Sequence, residues 1–216
     1  MHEIVAVGAD VFEANRKLAE KNRRLFEKYG VRAFDIMGAI GSGKTTLILR
    51  ASKLLAEMGY SVGAIAGDVA GDDDYRIFRH AGLVAENINT GKECHLDAHY
   101  ISHALEKMDL SAIDVLFIEN VGNLVCPADF PLGTEKRVVV VSVTEGEDMV
   151  RKHPVIFGTA DIGVLNKVDL AHLMGVSIER IAEDYRRITG KEMIMTDAKS
   201  GKGIDIFIEH LLGRKQ

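Results

Sequence analysis

Eight consecutive residues, Gly38-Ala39-Ile40-Gly41-Ser42-Gly43-Lys44-Thr45, complete a G-x-x-x-x-G-K-S/T loop. Glycines at these places let successive backbone N–H groups turn inward onto phosphate oxygens. A helix opening at the lysine adds the partial positive charge of its N-terminus. Lys44 reaches the β- and γ-phosphates in such a loop, Thr45 ligates Mg²⁺ through its hydroxyl, and Thr46 extends the contact along the first helical turn. A chain of this length matches all four fixed positions by chance roughly once in a hundred. Nucleotide binding, through Gly38, Gly41, Ser42, Gly43, Lys44, Thr45 and Thr46, is therefore the primary expectation.

Three further segments refine the nucleotide chemistry. Asn166-Lys167-Val168-Asp169 is an N-K-x-D quartet after an apolar run. A carboxylate at Asp169 accepts from two guanine N–H groups that adenine does not offer, while Asn166 ties loops together and the stem of Lys167 covers the base. Asp197-Ala198-Lys199 is similar to the S-A-K loop of GTP-binding proteins, in which the alanine N–H meets the guanine carbonyl; here an aspartate replaces the serine. Glu119-Asn120-Val121-Gly122 stands where many GTPases carry D-x-x-G, so Gly122 offers an N–H to the γ-phosphate and Glu119 acts on Mg²⁺ through water. Asp68 and Asp74 complete the acidic shell, since Mg²⁺ takes one or two carboxylates plus waters and phosphate. Asp72 and Asp73 suit a helix N-cap and first turn equally well. No glutamine or arginine stands out to position water, which implies slow intrinsic hydrolysis.

A second constellation calls for a softer metal. Cys94, His95, His99 and His103 fall within ten residues. With a helix starting near His95 the three histidines share one face, and Cys94 gains thiolate character at its N-terminus. Cys126, four residues after Gly122, converges with Cys94 and His95 if both segments leave the same sheet edge. Thiolate with imidazole suits Ni²⁺ or Zn²⁺ far better than Mg²⁺. Free cysteine is often only a small buried hydrophobe, and no C-x-x-C pair is present. On these residues alone a metal site and a structural role balance evenly. The placement of Cys126 beside the γ-phosphate loop favours metal. Three ligands leave a tetrahedral ion one short, to be filled by water or by a second subunit, which points to a GTP-dependent homodimer. Leu170, Leu173 and residues 147–153 are the expected interface elements.

Apolar runs at 32–37, 61–66, 83–88, 114–118, 137–143, 162–165 and 193–195 read as strands covered on both faces. Helices are expected at 10–29, 46–58, 73–81, 95–108, 177–189 and 203–212. That alternation predicts an α/β fold with a mostly parallel sheet and helices on both faces, binding ligands at the strands' carboxyl ends. In the first helix Val11, Ala14, Leu18, Leu25 and Tyr29 form the expected buried stripe. The whole chain, 1–216, reads as a single GTP-binding domain with an N-terminal helical extension at about 9–29. Its 216 residues carry a net charge of −5 and a mean hydropathy of +0.04. These values argue against nucleic-acid or membrane partners. Without a basic-then-apolar leader, a cytoplasmic location with reduced cysteines is expected.

Gly38–Thr45, the string Gly91-Lys92-Glu93-Cys94-His95, the string from Ile118 to Pro127, and Asn166–Asp169 together resemble the HypB family. These are the nickel-insertion GTPases of nickel–iron hydrogenase maturation, within the SIMIBI class of P-loop proteins. The resemblance spans nearly the whole chain. It implies that Cys94, His95 and Cys126 form the metal site, that His99 and His103 are additional ligands as in some members, and that Asp74 and Glu119 are the magnesium and switch carboxylates. It further implies nucleotide-dependent dimers, a HypA-like accessory protein and a hydrogenase large-subunit precursor as partners. The N-terminal C-x-x-C-G-C motif or histidine tract of many bacterial relatives is missing, which implies nickel transfer in place of storage. The urease accessory sibling UreG carries C-P-H where this chain has Cys126-Pro127-Ala128.

Three functions compete on this basis: a nickel-delivering GTPase of the hydrogenase or urease type, a GTPase with a purely structural zinc, and a P-loop small-molecule kinase. Identical metal exchange rates with GTP and GDP would favour the second. ATP preference would favour the third, which leaves Asn166–Asp169 unexplained.

Overall fold

The computed structural model describes the backbone of residues 2–213 and the side-chain environments of residues 10–213. Seven parallel strands form one sheet in the order β3-β2-β4-β1-β5-β6-β7. They are β1 (Arg32–Gly38), β2 (Val62–Asp68), β3 (Val84–Asn89), β4 (Val115–Glu119), β5 (Lys136–Ser142), β6 (Ile162–Asn166) and β7 (Ile194–Met195). The helices are α1 (His2–Tyr29), α2 (Lys44–Glu57), α3 (Asp73–His80), α4 (Ala98–Leu105), α5 (Met149–Lys152), α6 (Pro154–Thr159), α7 (Ala171–Met174), α8 (Ile178–Thr189) and α9 (Ile204–Leu212). No helix among the described residues is long and apolar enough to cross a membrane.

Because successive strand side chains point to opposite faces, β1 feeds two cores. Phe34 and Ile36 join Leu47, Ile48, Phe78 and Phe207 under α2, α3 and α9. Ala33 packs on the other face with Phe26, Ile101 and Leu116, under α1 and α4. Met37 continues that face toward Phe157, Ile181 and Tyr185 of α6 and α8. Each fully buried aliphatic or aromatic side chain contributes about 1.5–3 kcal/mol. β1 is flanked by β4 and β5, so the phosphate loop leaves the middle of the sheet beside the Glu119 strand.

Two helical expectations, at 10–29 and 95–108, need correction. α1 starts well before Asp10, and its buried stripe is not the apolar one. Val11 and Tyr29 are exposed, while Asn15, Ala19, Asn22 and Phe26 face inward. Two buried asparagines are tolerated because their amides find backbone partners. Asn15 donates to the Pro131 carbonyl at 3.0 Å and accepts from the Ala98 N–H at 2.8 Å. Asn22 donates to the carbonyls of Ala98 at 2.9 Å and Leu132 at 3.2 Å, and accepts from the Ser102 hydroxyl at 2.7 Å. α1 therefore staples the start of α4 to the segment that follows Cys126. α4 in turn begins at Ala98, not near His95, because the Asp97 carboxylate caps it by accepting from the N–H groups of His99 and Tyr100. Short helices α5 to α7 occupy 149–159 and 171–174, where sequence periodicity is too brief to register.

Candidate nucleotide and metal site

The loop between β1 and α2 has the shape of an anion cradle. Gly43 has φ 94°, and a Cβ there would lie 2.3 Å from the Asn166 amide nitrogen, so glycine is required on both counts. α2 opens with no side-chain cap and no acid in its first turn. The Ser42 hydroxyl is buried with no hydrogen-bond partner. The Lys44 ammonium is buried against the Gly38 and Ala39 carbonyls at 3.4 and 3.2 Å, and lies 3.9 Å from Glu119 Oε1. Thr46 is exposed on the same first turn.

Around Thr45 the donors are all oxygen. Its hydroxyl donates to Asp74 Oδ1 at 3.0 Å and Glu119 Oε1 at 2.9 Å. Glu119 Oε2 is buried without a partner. Burial pushes the Glu119 carboxyl up to about 7, against the pull of Lys44. Asp68 is also raised, by burial first and then by Asp74 and Asp73. This crowd of carboxylates lacking a full cationic partner fits a hard divalent ion held by Thr45, Asp74 and Glu119. Asp72 takes the N-cap position of α3, but its carboxylate accepts from Arg76 Nε at 2.8 Å in place of a cap.

On the far side of the cradle, Asn166 ties three segments together. It donates to the Ser42 carbonyl at 2.9 Å and accepts from the Thr196 hydroxyl and the Ala198 N–H, both at 3.0 Å. The Ala198 N–H is thus directed at Asn166, and a guanine carbonyl would have to share or displace that bond. Lys167 holds φ 59° and donates to the Gly41 carbonyl at 2.6 Å. Asp169 and Lys199 are exposed at the open end. Asp197 does what the absent serine would do: its carboxylate accepts from the N–H groups of Lys199 and Ser200 at 3.1 and 3.3 Å.

Cys94, His95 and Cys126 converge, with their ligand atoms all within 4.8 Å of one another. Both cysteines are free thiols, their sulfurs 2.8 Å apart. His95 stacks on Phe130 with ring centroids 3.9 Å apart, and its Nδ1 is buried with no partner. Burial pushes the imidazole's pKa down, toward the neutral form a metal needs. The hydrogen bond with Cys94, and then burial, push the Cys126 thiol up. Two sulfurs and an orphaned imidazole nitrogen fit Ni²⁺ or Zn²⁺. His99 and His103 stand apart from this triad as an exposed pair on α4, rings 4.5 Å apart. The later start of α4 removes His95 from their face.

Asn123, given no role in the sequence analysis, connects the two halves together with the expected Gly122. Asn123 pairs its N–H with the Gly38 carbonyl at 3.1 Å, and its amide donates to the Cys94 carbonyl at 3.2 Å. Gly122 lies so close to the phosphate loop that a Cβ would sit 2.2 Å from Ile40 Cγ1 and 2.9 Å from its nitrogen.

Residues 33–196 match the family model described as CobW/HypB/UreG, nucleotide-binding domain. The probable hydrogenase maturation factor HypB of Methanocaldococcus jannaschii is 49% identical over 209 residues, covering 96% of this chain and 94% of its own. The crystal structure of hydrogenase maturation factor HypB from Archaeoglobus fulgidus superposes with a TM-score of 0.86 at 50% identity, over 93% of this chain and 98% of the other. HypB from Helicobacter pylori, solved in complex with nickel, gives a TM-score of 0.88 at 30% identity over 93% and 94%. A parallel seven-stranded sheet, a phosphate loop on its central strand and this breadth of identity lead to one assignment. The chain belongs to the CobW/HypB/UreG family of P-loop GTPases and, within it, to the HypB hydrogenase maturation factors.

Proposed function

We propose that this chain is a GTP-hydrolysing metallochaperone that delivers nickel during nickel–iron hydrogenase maturation, through a Cys94–His95–Cys126 site switched by the nucleotide. The observation that carries the reading is the convergence of those three ligands on loops that flank the Glu119–Gly122 segment. The nickel complex of the Helicobacter pylori relative supports the choice of ion.

In this reading Asp169 selects guanine, and Lys44 with the loop N–H groups holds the phosphates. Thr45, Asp74 and Glu119 hold Mg²⁺, which when bound neutralises charge on the β- and γ-phosphates. Asp68 sits behind them as a further acidic group. Gly122 meets the terminal phosphate and is in contact with Ile40, so loss of that phosphate lets the segment from Glu119 to Cys126 relax. Cys126 then moves relative to Cys94 and His95, and a three-ligand ion is released. His99 and His103, the exposed pair on α4, serve as outlying ligands. Turnover is slow, since no glutamine or arginine stands out in the sequence to position water. The functional unit is a GTP-dependent homodimer in the cytoplasm, joined through exposed Leu173 and its neighbours. A HypA-like protein and the hydrogenase large-subunit precursor are its partners.

The test is titration of Ni²⁺ and Zn²⁺ into the GDP-bound form and into the form bound to a non-hydrolysable GTP analogue, repeated with Cys126→Ala. Nickel affinity should differ between the two states by about tenfold, and Cys126→Ala should abolish both the tight site and the difference. Equal affinities and equal metal exchange rates in both states would leave only a structural zinc.

A further inference from the structure

One strand position contradicts its surroundings. Asp35 lies in the middle of β1 and is fully buried, on the face where the Ala33 core and the Met37 core meet. Replacing a buried ion pair by apolar residues is often neutral or stabilising, so stability alone does not account for this carboxylate. Its partners are informative. Asp35 Oδ1 accepts from the Asn120 amide at 3.0 Å. The other end of that amide accepts from the N–H groups of Leu96 and Val121, each at 3.0 Å. Asp35 Oδ2 lies 3.6 Å from Arg137 Nε. The Arg137 guanidinium donates onward to the Ala128 carbonyl at 3.1 Å and to the Pro127 carbonyl.

The positions at the ends of these arms are the point. Leu96 follows His95, Pro127 follows Cys126, and Asn120 follows Glu119. One buried carboxylate thus reaches, through two side chains, the backbone beside a metal-ligand pair on one loop, the backbone beside the remaining ligand on another, and the phosphate-sensing segment. The arms differ. Each link of the Asn120 arm is a hydrogen bond, whereas neither Asp35 Oδ2 nor Arg137 Nε has a hydrogen-bond partner. A 3.6 Å gap is a few tenths of an ångström too long for a hydrogen bond, so a small shift of either strand end makes or breaks that joint.

We propose that Asp35, with Asn120 and Arg137, is a positioning relay that transmits the state of the phosphate-sensing segment to the Cys94–His95–Cys126 site. The relay rests on the nickel-switch reading above and names the residues through which the switch acts. Asn120 moves with Glu119 and carries the Leu96 N–H, and so His95, with it. Arg137 anchors the carbonyls after Cys126 to the stationary strand pair β1–β5. The two ligand groups therefore shift relative to each other when the sensing segment moves, and the Asp35–Arg137 joint is the place where the two arrangements differ.

The relay is tested with full-length protein bearing Asp35→Asn, and with Asp35→Leu combined with Arg137→Met, which replaces the charges by apolar volume. Two readouts are taken in the GDP form and in the GTP-analogue form. The first is Ni²⁺ affinity by competition with a chromophoric chelator. The second, made without metal, is amide hydrogen exchange at Leu96 and Val121. Wild type should show a nickel-affinity ratio between the two forms of about tenfold, and exchange at Leu96 that changes with nucleotide. Both variants should bring the ratio to within about twofold of one and make Leu96 exchange indifferent to nucleotide, with GDP affinity close to wild type; Asp35→Asn, which leaves Arg137 without its buried carboxylate, should lower the urea midpoint. A folded variant that keeps the wild-type ratio overturns the relay and leaves the switch reading intact. A wild-type ratio of one, or nickel binding that survives Cys126→Ala, overturns the switch reading and the relay with it. If Asp35→Asn fails to fold, the apolar pair decides the matter by the same two readouts.

Discussion

Asn22→Ala is the sharpest probe of how α1 holds the molecule together. The amide makes three hydrogen bonds, all in the interior, to Ala98, Leu132 and Ser102. Truncation removes all three and strips the Leu132 carbonyl of this donor. Each ordinary hydrogen bond contributes about 1 kcal/mol, and a buried polar group left unmatched costs about 1–3 kcal/mol. Ser102 keeps its second bond, to the Ala98 carbonyl at 3.0 Å, so its share is small. The sum comes to about 3 kcal/mol, which for a chain of this length lowers the melting temperature by about 6–12 °C. Differential scanning calorimetry measures it, with exposed Lys21→Ala as the control expected to shift by no more than about 2 °C. Asn15→Ala should be sub-additive with it, because both asparagines hold Ala98. A fall of less than about 2 °C for Asn22→Ala, indistinguishable from the control, would refute the view that these amides bear the docking of α1.

Two further outcomes follow from the site geometry. Glu119 has its folded pKa raised to about 7, so between about pH 4.5 and 7 the folded chain binds more protons than the unfolded one and stability falls as pH rises through that window. The shift sets an upper limit of about 3 kcal/mol. Melting temperatures in EDTA without nucleotide should therefore drop from pH 5 to pH 8, and Glu119→Gln should flatten the curve; an unchanged slope in that variant counts against the assignment. Gly122→Ala should cost about 1–3 kcal/mol by overpacking against Ile40. Adding Ile40→Ala should recover only part of it, since the 2.9 Å approach to the backbone nitrogen remains; complete recovery in urea denaturation would show that the side chain alone sets the contact.

Most of the scaffold was legible because parallel strands announce themselves as short apolar runs. All seven runs became strands of one sheet. The meeting of Cys94 and His95 with Cys126 could be anticipated from two loops leaving the same end of one sheet, after β3 and β4, which lie on either side of β2. The misses have a common cause. Sequence periodicity treats asparagine and aspartate as surface residues, yet Asn15, Asn22, Asp35 and Asn120 are buried and hydrogen-bond mostly to partners more than 70 residues away. Such pairings leave no local pattern. A lone charge in an otherwise apolar strand, as at Asp35, was the available signal. The misplaced start of α4 is different, because Asp97 is a good N-cap residue and capping preference points to Ala98.

The strand order has a consequence for how such a molecule can diversify. The sulfur- and imidazole-bearing loops follow β3 and β4, while the segments around Asp169 and Ala198 follow β6 and β7, with β1 and β5 between them. In the proposed reading, base choice and ion choice thus sit in separate neighbourhoods on either side of the central phosphate cradle. Substitutions can accumulate at one flank without strain at the other, so descendants of one ancestor can keep the same triphosphate while exchanging the ion, or the reverse.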